Sequence, residues 1–141
     1  MATFKDPKRL QAHIKKALDA LQAEVLITTQ AELGSAAVSP VDTGRFRSSW
    51  FAAEGSASNA VASEGADSEN EDAKGLKVDS SKNYHLTNNL PYAEAIAIEG
   101  RTNPEKNQKS KPAGWFKEFR DQRIPKIQAE AARQIKNEFD L

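Results

Sequence analysis

The stretch Leu10-Gln11-Ala12-His13-Ile14-Lys15-Lys16-Ala17-Leu18-Asp19-Ala20-Leu21-Gln22-Ala23-Glu24-Val25 decides the reading of the chain. Leu10, Ile14, Ala17, Leu18, Leu21 and Val25 recur at spacings of three and four. That period puts them on one apolar stripe of an α-helix. Asp6 followed by Pro7 supplies an N-cap and a first-turn proline. Gly34 follows the last periodic residue and is expected to close the helix in a left-handed conformation. The helix should therefore run from about Pro7 to Leu33, with its stripe in the core and His13 off the stripe in solvent.

Outward from this helix the pattern changes. Ser39-Pro40-Val41-Asp42-Thr43-Gly44 is punctuation, with Asp42 placed to cap a helical turn starting at Thr43. Arg45 to Ala53 reads as that turn running into a strand. Glu54 to Gly75 holds six acidic residues and one lysine among Ser, Ala, Gly and Asn. Such a segment has too little apolar surface to order itself, so it reads as a long mobile loop between strands. Tyr84 to Asn88 alternates and is the better candidate for the second strand, ahead of Leu76 to Val78. Pro91 suits the first position of a short helix ending at Gly100. A polar loop with Lys106, Lys109 and Lys111 leads to a last helix, Gly114 to Leu141. Phe116, Phe119, Arg123, Ile127, Ala131, Ile135 and Phe139 keep to one side of it, and Pro125 must kink or restart it. The expected fold is α+β in one domain, residues 1–141. It has a long N-terminal helix, a small antiparallel sheet with an acidic loop at 54–75, a short middle helix and a C-terminal helix.

Composition narrows the function. Twenty Lys and Arg balance twenty Asp and Glu, whereas a dedicated nucleic-acid binder is usually strongly basic. With no cysteine and only His13 and His85, a thiolate metal site, a zinc centre or a serine-hydrolase triad has little to be built from. No cofactor or metal site is expected. Ile, Leu, Val and Phe make up about 19% of the residues, a thin core that association with partners would supplement. No run of about eighteen apolar residues offers a membrane span. The polar start, Met1 to Arg9, has no signal core behind it, so assembly in the cytoplasm is expected. Asp42-Thr43-Gly44 is also the triplet of aspartic proteases, in which a dimer pairs two carboxylates. Ser39-Pro40-Val41 is a poor apolar lead-in for it, and Arg45 would set a cation beside the dyad. A turn or cap fits Asp42 better. A lysine loop at 106–111 is either solvated or a contact for phosphate or an acidic partner. The aromatic side chains are most simply core, although Trp115, at a loop-to-helix junction, also suits an interface.

Two stretches together resemble a known family. Pro40-Val41-Asp42-Thr43-Gly44-Arg45-Phe46-Arg47-Ser48-Ser49-Trp50 is similar to the "P-V-D-T-G-x-L-R-x-S-W" signature of small tail proteins of tailed bacteriophages, the tail-completion or minor tail protein Z-like group. Asn88-Asn89-Leu90-Pro91-Tyr92-Ala93, with Ile98-Glu99-Gly100 and Pro112-Ala113-Gly114-Trp115, is similar to its "N-N-x-P-Y-A … E-x-G … A-P-x-G" pattern. Here Glu99 directly precedes Gly100, and the 54–75 segment is longer and more acidic than the family's. The resemblance implies a non-enzymatic virion protein at the head-proximal end of the tail. It would form a ring, hexameric by analogy, touching the tail tube or terminator protein and the head-tail connector, with DNA passing through without sequence-specific contact. It implies that Pro40, Asp42, Thr43 and Gly44 shape one turn, and that Asn88, Asn89, Pro91 and Gly100 shape a second corner on which Tyr92 packs. Candidate interface residues are Arg45, Arg47, Trp50, Tyr92, Glu99, Lys106, Lys109, Lys111 and Trp115. Alternatives are a tail terminator, a neck head-closure protein, an aspartic-type protease dimer using Asp42, and a soluble adaptor.

Overall fold

The structure is a computed structural model that describes residues 5–35, 37–39, 44–100 and 111–141. The fold is α+β. In chain order it comprises α1 (Pro7–Gly34), a single turn α2 (Arg45–Ser48), β1 (Trp50–Glu54), β2 (Tyr84–Asn88), α3 (Ala93–Glu99), α4 (Trp115–Glu118) and α5 (Ile124–Glu138). A short 3-10 turn, Asp72–Gly75, interrupts the connection between the strands.

Local chemistry explains most element ends. Asp6 accepts from the Lys8 amide at 2.9 Å and Pro7 opens α1. The other end departs from expectation, because Gly34 remains helical and Ser35 closes the helix in an extended conformation. Gly34 is instead a contact point for other parts of the chain. Its carbonyl accepts from Arg47 Nη1 at 3.1 Å, and the Glu69 side chain lies where a Cβ would make contact. Pro91 is not the first residue of α3. It occupies the second place of a turn closed by Ala93 N donating to Leu90 O at 2.9 Å, and the helix starts after that turn. The chain runs from α4 into α5 through a π-helical turn, Phe119–Arg123. That widened turn falls directly before Pro125, which has no N–H and would crowd the carbonyl four residues back.

β1 and β2 pair antiparallel, with Trp50 opposite Asn88 and Glu54 opposite Tyr84. Two apolar clusters lie between this hairpin and the helices. The larger joins Leu33, Phe46, Trp50, Leu90, Ile96, Trp115, Phe119 and Ile127. The smaller joins Leu26, Ala52 and Ala73, with Leu76, Tyr84 and Leu86 against it. Trp50 stacks on Phe116 at 5.8 Å and meets Phe46 edge-on. Ile127, Ala131 and Ile135 on α5 are buried, as their spacing requires.

Three further expectations are corrected. The apolar stripe of α1 is only partly covered. Leu10, Ile14 and Leu18 are 39%, 40% and 47% exposed, whereas Ala17 is buried, because the chain around Phe139 packs on the His13 side of this half of α1. His13 is half-buried, with Nε2 2.7 Å from Phe139 O and its ring 5.5 Å from that of Phe139. The 54–75 segment is no free loop. Ala73 is buried against α1, and hydrogen bonds tie the segment down at several points.

Gln30 was not foreseen from the sequence, yet it holds α1, β1 and the 3-10 turn together. It is 1% exposed. Its Nε2 donates to Trp50 O at 3.0 Å and to Asp72 Oδ1, while its Oε1 accepts from Ala73 N at 2.9 Å. The one available signal is a polar residue in apolar register, four after Leu26 and three before Leu33. Gln30→Leu leaves the Ala73 amide and Trp50 carbonyl without these partners. We expect a loss of about 2–3 kcal/mol in urea unfolding. A loss under about 0.5 kcal/mol would refute the clamp.

Lys15 joins α1 to the segment before β2 by reaching Asp19 at 2.5 Å and Asp79 at 2.7 Å. The hydrogen bond from Lys15 holds the Asp79 carboxyl below the usual carboxylate range, with further bonds from Ser81. Asp19 is lowered for the same first reason, and the Ser80 amide adds to it. Carboxyls depressed by folding favour the native state above their unfolded pKa of about 3.9, and that support is lost as pH falls through their lower folded values. In Lys15→Met the Asp79 midpoint should climb toward about 3.9 in a carboxyl-resolved NMR titration. An unmoved midpoint would show that the lysine is not the cause.

Candidate functional site

The two stretches that carry the family resemblance, far apart in sequence, meet at one corner of the fold. Trp50 at the end of the first lies opposite Asn88 at the start of the second. Asn88 Nδ2 donates to Phe46 O at 2.8 Å, and its Oδ1 accepts from Leu90 N at 3.3 Å. This one side chain therefore fixes α2 against the turn into α3. Asn89 Nδ2 donates to Ser58 O and lies 3.4 Å from Ala60 O. Thr87 Oγ1 donates to the same Ser58 carbonyl at 3.2 Å.

The described polar residues of the first stretch, Arg45, Arg47, Ser48 and Ser49, grip the acidic loop. Arg45 Nε donates to Ala62 O at 2.8 Å. Ser49 Oγ accepts from Ala62 N at 3.0 Å and donates to Arg45 O at 2.7 Å. Ser48 Oγ accepts from Ser68 N at 3.0 Å. Arg47 Nη2 donates to Asp67 O at 2.6 Å and pairs with the Asp67 carboxylate at 3.0 Å. Gly44 has φ of +90°, and a Cβ there would lie 2.0 Å from Asp67 Oδ1. The turn needs glycine both for its backbone and for the passage of the loop.

Several candidate interface residues are engaged within the chain. Trp50 and Trp115 are in the core, because their indole rings fill the space between the hairpin and α3–α5. Trp115 Nε1 donates to Ile96 O at 2.8 Å, and Trp50 Nε1 to Ser39 Oγ at 3.2 Å. Arg45 and Arg47 hold the loop. Lys111 Nζ donates to Ala37 O at 2.6 Å rather than standing free for a phosphate. Tyr92 is 42% exposed and does not pack down on the corner. Glu99 is exposed at the end of α3. Pro40, Asp42, Thr43, Lys106 and Lys109 lie outside the described residues. The N-cap of α2 among the described residues is Gly44.

A groove of about 420 Å³ opens between the end of α1 and the π-helical turn, lined by Glu32, Val38, Lys111, Trp115, Phe119 and Arg123 among others. At its edge Arg123 clasps Glu32 through Nε at 2.7 Å and Nη2 at 2.8 Å. That two-pronged bond raises the guanidinium pKa further and ties α1 to the final helix. Among the described residues no group of three or more His, Asp or Glu is placed to hold a metal ion. Among the described residues no helix is long and apolar enough to cross a membrane. Comparison with known protein families, with curated proteins and with solved structures finds no match.

Proposed function

We propose that this chain is a structural protein of a bacteriophage virion. It acts at the head-proximal end of the tail, where copies form a ring that completes the tail and joins it to the head-tail connector. The observation that carries this reading is the convergence of the two resembling stretches. Segments that resemble one family at two distant places cooperate here in one corner, through Asn88 on the Phe46 carbonyl. The described polar residues of the first stretch, Arg45, Arg47, Ser48 and Ser49, position a loop, which is a scaffolding task.

In this reading the mechanism is geometric. The ring docks on the last tube ring, covers its polymerising face and offers a new face to the connector. DNA passes through the lumen without base-specific contact. Copy counting tests the proposal. Quantitative mass spectrometry of gradient-purified particles should find the chain at a fixed low number, about six per virion for a sixfold ring. Its absence from particles would reject the virion role and return the adaptor and protease readings. Asp42→Asn separates these, since it abolishes proteolysis by a carboxylate pair but leaves a ring subunit assembled.

A further inference from the structure

The chain's zero net charge conceals two opposed surfaces. Between Lys5 and Lys16 five cationic side chains accompany a single acid, Asp6, whereas the 54–75 loop is strongly acidic. The basic segment carries the exposed apolar residues Leu10 and Ile14, and Leu18 follows one turn on, all along one face of α1. The acidic loop in turn carries an exposed apolar residue, Val61, with Glu64 and Glu69 in the same segment. Lys5, Lys8, Arg9 and Lys16 make no ion pair among the described residues, and neither do Glu64 and Glu69.

The two surfaces cannot satisfy each other within one molecule. The acidic loop is pinned by Arg45, Arg47, Ser48 and Ser49, and Glu69 packs beside Gly34. Gly34 lies twenty residues beyond Ile14, about 30 Å along a helix rising ~1.5 Å per residue. A second copy can bring its loop to the stripe.

We infer that the basic, apolar-striped first half of α1 is the docking surface for the acidic loop of a second copy of this chain. The contact is head-to-tail, because the two patches differ. A pair keeps one patch of each kind free to propagate, and the array closes into a ring if the rotation permits. An apolar centre within a charged rim is the usual anatomy of such a contact. The inference rests on the ring reading above for its biological use, but not for its physics.

Sedimentation velocity of the full chain tests it, with circular dichroism confirming that each variant is folded. At about 50 mM salt the wild type should associate at concentrations near 100 µM, and about 500 mM salt should weaken the complex. Ile14→Glu should raise the dissociation constant at least about tenfold. The loop reversal Glu64→Lys with Glu69→Lys, and the helix reversal Lys8→Glu with Arg9→Glu, should each be monomeric alone. Mixed together they should associate, because each then carries what the other lacks. The helix reversal adds acids to the first turn of α1, which favours the helix, so its effect cannot be blamed on unfolding. A monomeric wild type, or association indifferent to Ile14→Glu or to the loop reversal, would overturn the assignment. Salt-sensitive association that survives alongside absence from virions would leave this interface standing and reject only the tail role.

Discussion

Trp50→Ala should remove about 4 kcal/mol of folding stability, the largest loss of any single truncation considered. The indole is 6% exposed. It stacks on Phe116 and lies edge-on to Phe46, so truncation opens a cavity that these side chains of α2 and α4 line. Its Nε1 donates to Ser39, whose own hydroxyl reaches back to the Leu33 carbonyl. Removing the ring therefore also frees the chain that leaves α1. For a domain with about 5–15 kcal/mol in total, this is roughly a quarter to four-fifths of its stability. A fall in Tm of roughly 12 °C is expected in calorimetry. Trp50→Phe keeps most of the packing and loses the hydrogen bond, and should cost about 1–2 kcal/mol. If Trp50→Ala and Trp50→Phe cost the same small amount, Trp50 is not the centre of the core.

Gly100→Ala is the second large effect. Gly100 has φ of +78° and ψ of −172°, a region that glycine alone occupies comfortably. A Cβ there would stand 2.4 Å from Lys111 O and 2.5 Å from Pro112 C. Both are backbone atoms, so no side chain can swing away. The opposing strand of chain is held in place by Gly114 N donating to Ile98 O at 3.0 Å, and by Trp115 Nε1 on Ile96 O. Backbone strain and the clash together should cost about 3 kcal/mol. The loss should appear as reduced amide protection at Gly114 and a lower urea midpoint. Unchanged protection and an unchanged midpoint would mean that α3 and the 111–115 segment are not locked together there.

The parts of this architecture that depend on local chemistry were legible in the sequence. Asp6 and Pro7 begin α1, the alternation of Tyr84 and Leu86 marks a strand, and Gly100 ends α3. What was hidden depends on which surfaces meet. Periodicity reveals the stripe from Leu10 to Val25 but not that Leu10, Ile14 and Leu18 stay exposed while Ala17 is buried. Composition shows a 54–75 segment too polar to build a core. It does not show that Arg45, Arg47, Ser48 and Ser49 hold that segment by hydrogen bonds, which need no apolar content. Gln30 reads as an ordinary polar residue until three elements converge on it. At the candidate site the corner residues Gly44, Asn88 and Asn89 were visible as turn formers. Their joint task, joining two distant stretches and seating the acidic loop, required the fold. Trp50 and Trp115 read most simply as core while the resemblance also offered them as interface residues, and only packing separates those roles.

The central claim is a role at the joint between tail and head, and an early stop codon in this gene within its phage tests it most directly. Negative-stain electron microscopy of the lysate should show filled heads beside separate tails of normal length. Overlong tail tubes would instead make the chain the terminator of tube growth. Intact, infectious virions would contradict the structural role altogether.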